Sequence, residues 1–293
     1  MKRLFKTLYK WTGSLVQSII SFFSVLFFSS FKDAGKLKSL EKAKNSSECI
    51  ILANGPSLRD VLDNHLDTLL ARKADMLAVN MFGNDECFWK IKPYYYVLTD
   101  PGFFRKTTVE NLEIQKERLV KSFNKVSWEM NLLLPTGAKG SELLSYIKND
   151  NITILYYNYT PINGFRSVEY WIYRHNLGMP LPMNVSNAAI FLMTNLGYKD
   201  IYLLGVDHTW LKNFDIDPET NALISDDQHF YGKEKLNLNK RGKGVRFDEW
   251  LYNQYMGFHA HWRLSEYVKS RGVNIYNSTR VSLIDCYERK YLF

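Results

Sequence analysis

Two short stretches, Ile50-Ile-Leu-Ala-Asn-Gly-Pro-Ser57 and Leu196-Gly-Tyr-Lys-Asp-Ile-Tyr-Leu-Leu-Gly-Val-Asp-His208, constrain the fold more than any other part of the chain. In the first, Cys49–Ala53 is apolar throughout and does not alternate, as expected of a strand buried on both faces of a parallel sheet. It stops at Asn54-Gly55-Pro56-Ser57, where glycine permits a tight turn and Ser57 is placed to N-cap a helix from Leu58. A strand, a glycine turn and a helix N-terminus set free backbone N–H groups at the carboxyl edge of a sheet. Nucleotide phosphates bind there in open α/β folds, although an ordinary β–α connection uses the same residues.

The rest of the chain repeats the alternation. Strands are expected at 48–53, 75–80, 94–99, near 125–128, at 132–134, 152–156, 200–205 and 273–276. Helices are expected at 58–72, 107–122, 140–148, 165–176, 186–196 and 247–271. This order predicts an α/β fold, a doubly wound, mostly parallel sheet with helices on both faces. Residues 208–246 break the rhythm: they are polar, lack apolar periodicity and follow a sheet strand directly. They read as a long irregular lid over a site.

The net charge of +8 is concentrated at one end. Residues 1–45 hold nine Lys/Arg against Asp33 and Glu41, a surplus of seven. The body is therefore close to neutral, which argues against nucleic acid as a partner. Three cysteines without CxxC spacing support neither a disulfide framework nor a zinc site, and fit a reducing compartment.

Trp11–Phe31 carries no charge and is long enough to span a bilayer. At helical spacing, Ser14, Gln17, Ser18, Ser21 and Ser24 share one side, and Leu15, Ile19, Phe22, Phe23 and Leu26 the other. Residues 1–31 read as a basic amphipathic segment seated in an anionic inner leaflet, on the cytoplasmic face of the membrane. A single-span anchor and a helix packed on the protein's own core are the alternatives. Residues 32–47 read as a polar, basic linker, and 48–293 as the catalytic domain.

Taken together, these residues resemble the family-42 bacterial sialyltransferases and, more broadly, a related family that includes archaeal pterin pyrophosphokinase-like enzymes. The match runs in order along most of residues 48–290. Asn54-Gly-Pro-Ser57 corresponds to that family's first strand-turn. Asn80, Asp100-Pro101, Asn184-Val-Ser186 and the stretch from Leu196 to Asp207 follow, the last matching best. Asp227-Gln-His-Phe-Tyr-Gly-Lys233 resembles the family's His-Tyr-Ile-Gly-His stretch in the lid. Three departures stand out: Lys233 replaces the histidine that serves as general base, Asp100 replaces an amide, and His208-Thr-Trp210 stands where the donor-phosphate tyrosines are expected.

The resemblance implies a single-domain, GT-A-type variant of a Rossmann-like fold. It implies an inverting glycosyltransferase that takes a nucleotide-activated sugar, with a CMP-linked acidic sugar as one donor class, and modifies a surface glycan or lipid-linked acceptor. Asn54, Gly55, Pro56, Ser57, Asn80, Asp100, Asn184, Ser186, Asp207 and Asn277 are the candidate donor-binding residues.

Transfer with inversion needs a base for the acceptor hydroxyl and positive charge for the departing phosphate. His229 and His208 are the candidate bases, because imidazole titrates near neutrality. Lys233, Lys212 and Arg246 are the candidate cations, or solvated surface charges. No cofactor or bound metal is expected. A divalent cation held by Asp100 and Asp207 is the minority reading, since no Asp-x-Asp triplet ends a strand. Asn277-Ser-Thr279 reads as a base contact or a plain loop turn. His259 and His261 lie two apart on a helix and face different ways. Two rival functions remain: a Mg²⁺-dependent phosphotransferase of the pterin pyrophosphokinase-like type, and a non-catalytic nucleotide-binding scaffold at the membrane.

Overall fold

The computed structural model describes residues 2–106, 110–212, 214–221, 223–229, 232–237 and 246–293. Two helices, α1 (Lys2–Phe28) and α2 (Phe31–Ser39), precede the first strand, β1 (Glu48–Leu52). Next come α3 (Ser57–Asn64), α4 (Leu66–Ala71), β2 (Asp75–Val79), α5 (Cys87–Ile91) and β3 (Tyr95–Val97). They are followed by α6 (Glu110–Phe123), β4 (Met130–Pro135), α7 (Glu142–Ser145), β5 (Ile152–Tyr157), α8 (Arg166–Arg174) and α9 (Val185–Asn195). After β6 (Asp200–Leu204) the chain forms β7 (Phe214–Ile216), β8 (Leu223–His229) and β9 (Gly232–Asn237). It ends with α10 (Phe247–Ser270), β10 (Asn274–Asn277) and β11 (Glu288–Arg289).

Eight strands form one sheet in the order β11-β10-β6-β1-β2-β3-β4-β5, and every pairing is parallel. The fold is the expected doubly wound, Rossmann-like α/β fold. The alternation of side chains about β1 explains its unbroken apolar run. Cys49, Ile51 and Ala53 enter one core with α9 and α10, while Ile50 and Leu52 enter the other with α3 and α6. The chain moves outward from β1 to β5, then returns to place β6 on the other side of β1. The strand order therefore reverses between β1 and β6, and crevices that take ligands form above such a point.

Several expected elements differ. The helix expected at 58–72 breaks at His65, whose φ of −132° is not helical and whose ring stacks on Phe293 at 4.9 Å. No strand forms at 125–128, because the chain turns there and Trp128 donates its indole N–H to the Pro93 carbonyl (3.1 Å). The helix expected at 140–148 contracts to Glu142–Ser145. Part of the 208–246 insertion is regular: β7, β8 and β9 make a three-stranded antiparallel sheet. Its strands are polar, so backbone pairing forms them without the apolar alternation that marks a strand in a sequence.

The segment 32–47 is not a linker. Ala34, Leu37 and Leu40 recur at helical spacing and are buried against the face of the sheet formed by β5 and its neighbours. The lysines that gave the segment its polar composition, among them Lys32, Lys36 and Lys38, are exposed. Asp33 is buried and paired with Lys139.

α1 docks on the same body with its polarity reversed. Ser18 and Ser21 are buried, whereas Leu15, Ile19, Phe22 and Phe23 are exposed. Ser21 Oγ donates to the Asn163 carbonyl (2.6 Å) and accepts the Asn163 N–H (2.9 Å). Ser18 Oγ accepts the Phe165 N–H (2.8 Å). Past the end of the helix, Ser29 Oγ donates to the Leu177 carbonyl (2.6 Å). Between the first two contacts lies Gly164 at φ +144°, where a Cβ would overlap Ser18 and approach its backbone N and Cα to 2.8 Å. Glycine at 164 is what lets the helix close on the loop.

Gly164→Ala should therefore lift α1 from the body without touching the sheet. Amide exchange in residues 13–28 is expected to accelerate roughly tenfold or more, with β1–β6 unchanged. Unchanged exchange in α1 would show that this contact does not hold the helix.

Candidate functional site

A cavity of about 340 Å³ opens at the carboxyl edge of the sheet, over the reversal between β1 and β6. Asn54, Gly55, Pro56, Asn80, Asp100, Asn184, Ser186, Asp207 and His208 all line it. The tertiary structure thus gathers into one wall residues from the ends of β1, β2, β3 and β6 and from the start of α9.

Asp207 organises the floor. Its Oδ1 accepts the Ser57 N–H (3.1 Å) and its Oδ2 the Ser57 hydroxyl (2.7 Å). Ser57 is therefore not an N-cap through its own side chain. It is the first residue of α3, the Asp207 carboxylate sits on the helix N-terminus, and the expected phosphate cradle there is already filled by a protein anion. Gly55 completes the joint: its N–H donates to the Gly205 carbonyl (2.8 Å), and a Cβ at 55 would overlap the Asp207 carboxylate. Burial pushes the Asp207 carboxyl up to about 6, against the Ser57 hydrogen bonds, which favour the charged form.

Asn54 is 8% exposed, and among the described residues neither atom of its amide has a partner. The Asn80 side-chain oxygen is also buried and unpartnered among the described residues. Leaving such groups unpaired costs about 1–3 kcal/mol each, so water or a ligand in the cavity is the partner they are placed to take. Asn80 (φ +49°) and His208 (φ +52°) are also held in the left-handed region, which concentrates backbone strain on this cavity.

His208 belongs to a buried polar chain. Asn184 N-caps α9: its Oδ1 accepts the Asn187 N–H (3.0 Å) and the Ser186 hydroxyl (2.5 Å). That fixes the amide, so Asn184 Nδ2 donates to His208 Nε2 (3.0 Å). His261 Nε2 lies 3.2 Å from the same atom, and its Nδ1 lies 3.1 Å from the Tyr287 hydroxyl. One set of protons is consistent with these contacts: Tyr287 O–H donates to His261, His261 Nε2–H and the Asn184 amide share the His208 Nε2 lone pair, and His208 carries its proton on Nδ1. Burial lowers the His208 pKa to about 3 and that of His261 well below the ordinary value. His208 is thus held neutral, with its Nε2 facing the Asn184 amide and His261.

The other candidates divide. Asp100 Oδ1 accepts the Gly102 N–H (2.6 Å) and starts a 3-10 turn at Pro101. Asn277 lies outside the cavity, fully buried, and donates to Ser282 Oγ (3.0 Å) and the Ile284 carbonyl (3.1 Å), so it braces its own loop. His259 is exposed and stacked on Tyr255, whereas His261 is buried. The side chains of His229 and Lys233 lie outside the described residues; their backbones pair within the hairpin, His229 opposite Gly232 and Gln228 opposite Lys233. Among the described residues no group of three His, Cys, Asp or Glu could hold a metal ion.

Sequence reasoning did not place Tyr159, Trp210 or His261 among the site residues. Tyr159 and Trp210 line the cavity, the first fixed through its hydroxyl to the Pro182 carbonyl (2.8 Å), the second packed 4.5 Å from His208. His261 comes from a helix 53 residues beyond His208, and no local pattern joins them. No Lys or Arg among the described residues lines the cavity. Positive potential there comes from the N-terminus of α9, through Val185 and Ser186.

No family model and no curated protein matches the chain. A solved structure, the MAf glycosyltransferase from Magnetospirillum magneticum AMB-1, aligns with a TM-score of 0.48 and 11% identity. The alignment covers 89% of this chain and 38% of that one, so the chain spans less than two-fifths of that structure's length.

Asp207 gives a prediction on pH. Its folded-state pKa exceeds the ordinary carboxyl value of 3.8, so between about pH 4 and 6 the folded chain holds a proton that the unfolded chain has released. Asp207 therefore lowers stability as pH rises through that window, by about 3 kcal/mol. Asp207→Asn, which can still pair with both Ser57 groups, is expected to flatten this fall in a series of melting temperatures. An identical slope in the variant would assign the effect elsewhere.

Proposed function

We propose that the protein is a glycosyltransferase that binds a nucleotide-activated sugar in the cavity and transfers the sugar to a glycan or glycolipid acceptor. The observation that carries this reading is the buried Asn54 amide, unpartnered among the described residues, in a cavity over the strand-order reversal. An amide presents a donor and an acceptor side by side, the pattern needed to read a nucleobase or ribose edge. Asn80 adds a second acceptor, and Tyr159 and Trp210 offer ring faces.

In this reading His208 donates from Nδ1–H, held by Asn184 and His261, to the sugar or phosphate. His229 takes the proton from the acceptor hydroxyl. The resulting oxygen attacks the anomeric carbon, the bond to the phosphate oxygen breaks, and the nucleotide leaves with the electron pair, inverting the centre. In this reading the phosphate charge is met by the α9 N-terminus and by cations of the 208–246 insertion. Residues 230–246 hold Lys233, Lys235, Lys240, Arg241, Lys243 and Arg246 against Glu234 alone. The sequence resemblance favours a CMP-linked acidic sugar as donor, and the basic N-terminal segment suits an acceptor on the cytoplasmic leaflet.

Calorimetry of the full chain with CMP, CDP, UDP, GDP and ATP, each with and without Mg²⁺, tests the reading. Metal-independent binding of one nucleotide is expected, weakened about tenfold or more by Asn54→Ala. His229→Ala is expected to keep that binding and lose roughly 10²–10⁴ in transfer rate. Mg²⁺-dependent binding of ATP alone would turn the assignment to phosphotransfer, and no nucleotide binding at all would overturn it.

A further inference from the structure

The helix α1 meets the protein mainly through serines, with Val25 and Trp11 beside them, and leaves most of its apolar residues outward. Ser14, Ser18, Ser21 and Ser29 face the body, with Ser18 and Ser21 buried and hydrogen-bonded there. Val16, Ile20, Phe23 and Phe27 face outward, each half or more exposed. A helix that packs on a water-soluble core has the opposite pattern. The outward stripe needs an apolar neighbour, and among the described apolar residues of α1 only Val25 is buried in the protein's own core.

We propose that α1 seats the protein in an anionic lipid bilayer, lying in the plane of the membrane with its outward stripe in the acyl boundary. The orientation follows from the docking. Trp11 meets the Phe165 ring at 5.6 Å, Ser18 and Ser21 bond the loop at 163–165, and Ser29 bonds Leu177 and Thr160. These contacts run along about 27 Å of helix. A segment held sideways over that length cannot cross the hydrocarbon without taking Asn163, Glu169 and Arg263, the polar groups behind it, along. The helix is long enough to span, and the body keeps it from doing so.

Charge selects lipid over a second copy of the chain. Lys10 precedes the stripe and Lys32, Lys36 and Lys38 follow it, all exposed, with no acidic residue before Asp33. Two such helices face to face would bring like charges together, whereas an anionic leaflet is complementary at both ends. Exposed Trp11 stands at the boundary, where indoles collect. The loop after β5 that receives α1 also supplies Tyr159 to the cavity, so the membrane seat and the site share one wall.

The test is depth, and it needs neither donor nor acceptor. Cys49, Cys87 and Cys286 are buried, so single cysteines introduced as Val16→Cys, Ile20→Cys, Phe23→Cys and Phe27→Cys can be labelled selectively. The full chain is mixed with phosphatidylcholine–phosphatidylglycerol vesicles carrying quenchers at graded depths. All four fluorophores are expected at one shallow depth, roughly 5–10 Å below the headgroups. Depth that peaks in mid-helix would overturn the proposal in favour of a span. Absence of quenching, with a doubled mass by light scattering, would overturn it in favour of a second copy. Nucleotide binding is unaffected in either case, so this failure and that of the transferase reading are separable.

Discussion

The pairing of Asp207 with Ser57 is the interaction on which the rest of the site depends. It links the end of β6 to the start of α3 across the point where the strand order reverses. Because the carboxylate occupies the helix N-terminus, that terminus is not available to a phosphate. Because the carboxylate lies against Gly55, no side chain fits there, and the turn can only be glycine. What remains above this joint is a cavity lined by amides, ring faces and the Asp100 carboxylate, with positive potential from the N-terminus of α9 and, in the proposed function, from cations of the 208–246 insertion.

The same economy of polar groups governs the buried histidines. His208 and His261 sit where charge is expensive, and the chain from Asn184 to Tyr287 pairs both nitrogens of His261 and Nε2 of His208. The arrangement favours the tautomer of His208 that accepts at Nε2 and carries its proton on Nδ1. An isolated histidine at the end of a strand carries no sign of this, since its partner sits on a distant helix.

α1 applies the reverse logic at the surface. Serine hydroxyls satisfy the backbone of the loop at 163–165, and Val25 is the apolar residue of the helix that enters the core. The apolar residues are left outward, where exposure in water forfeits about 1.5–3 kcal/mol for each large side chain. α2 then carries the chain back beneath β5, with leucines inward and lysines outward, as an ordinary amphipathic helix.

The sequence by itself determined the sheet and most of the cavity's rim. Apolar runs such as Cys49–Ala53, ended by Asn-Gly-Pro, are local signals, and a parallel sheet buried on both faces leaves no other reading of them. Asn54, Asn80, Asp100, Asn184 and Asp207 were legible for the same reason, since each ends a strand or opens a helix. The segment 32–47 was misread because lysines dominate its composition and hide three apolar residues at helical spacing. The polar hairpin was missed because backbone pairing leaves no apolar period. Only the tertiary structure decided that Asp207 caps α3, that Asn277 braces its own loop, that His208 is neutral, and that the serines of α1 face inward. Each of these depends on a partner far away in sequence, and the protonation, satisfaction and exposure of a polar group are set by what surrounds it in space.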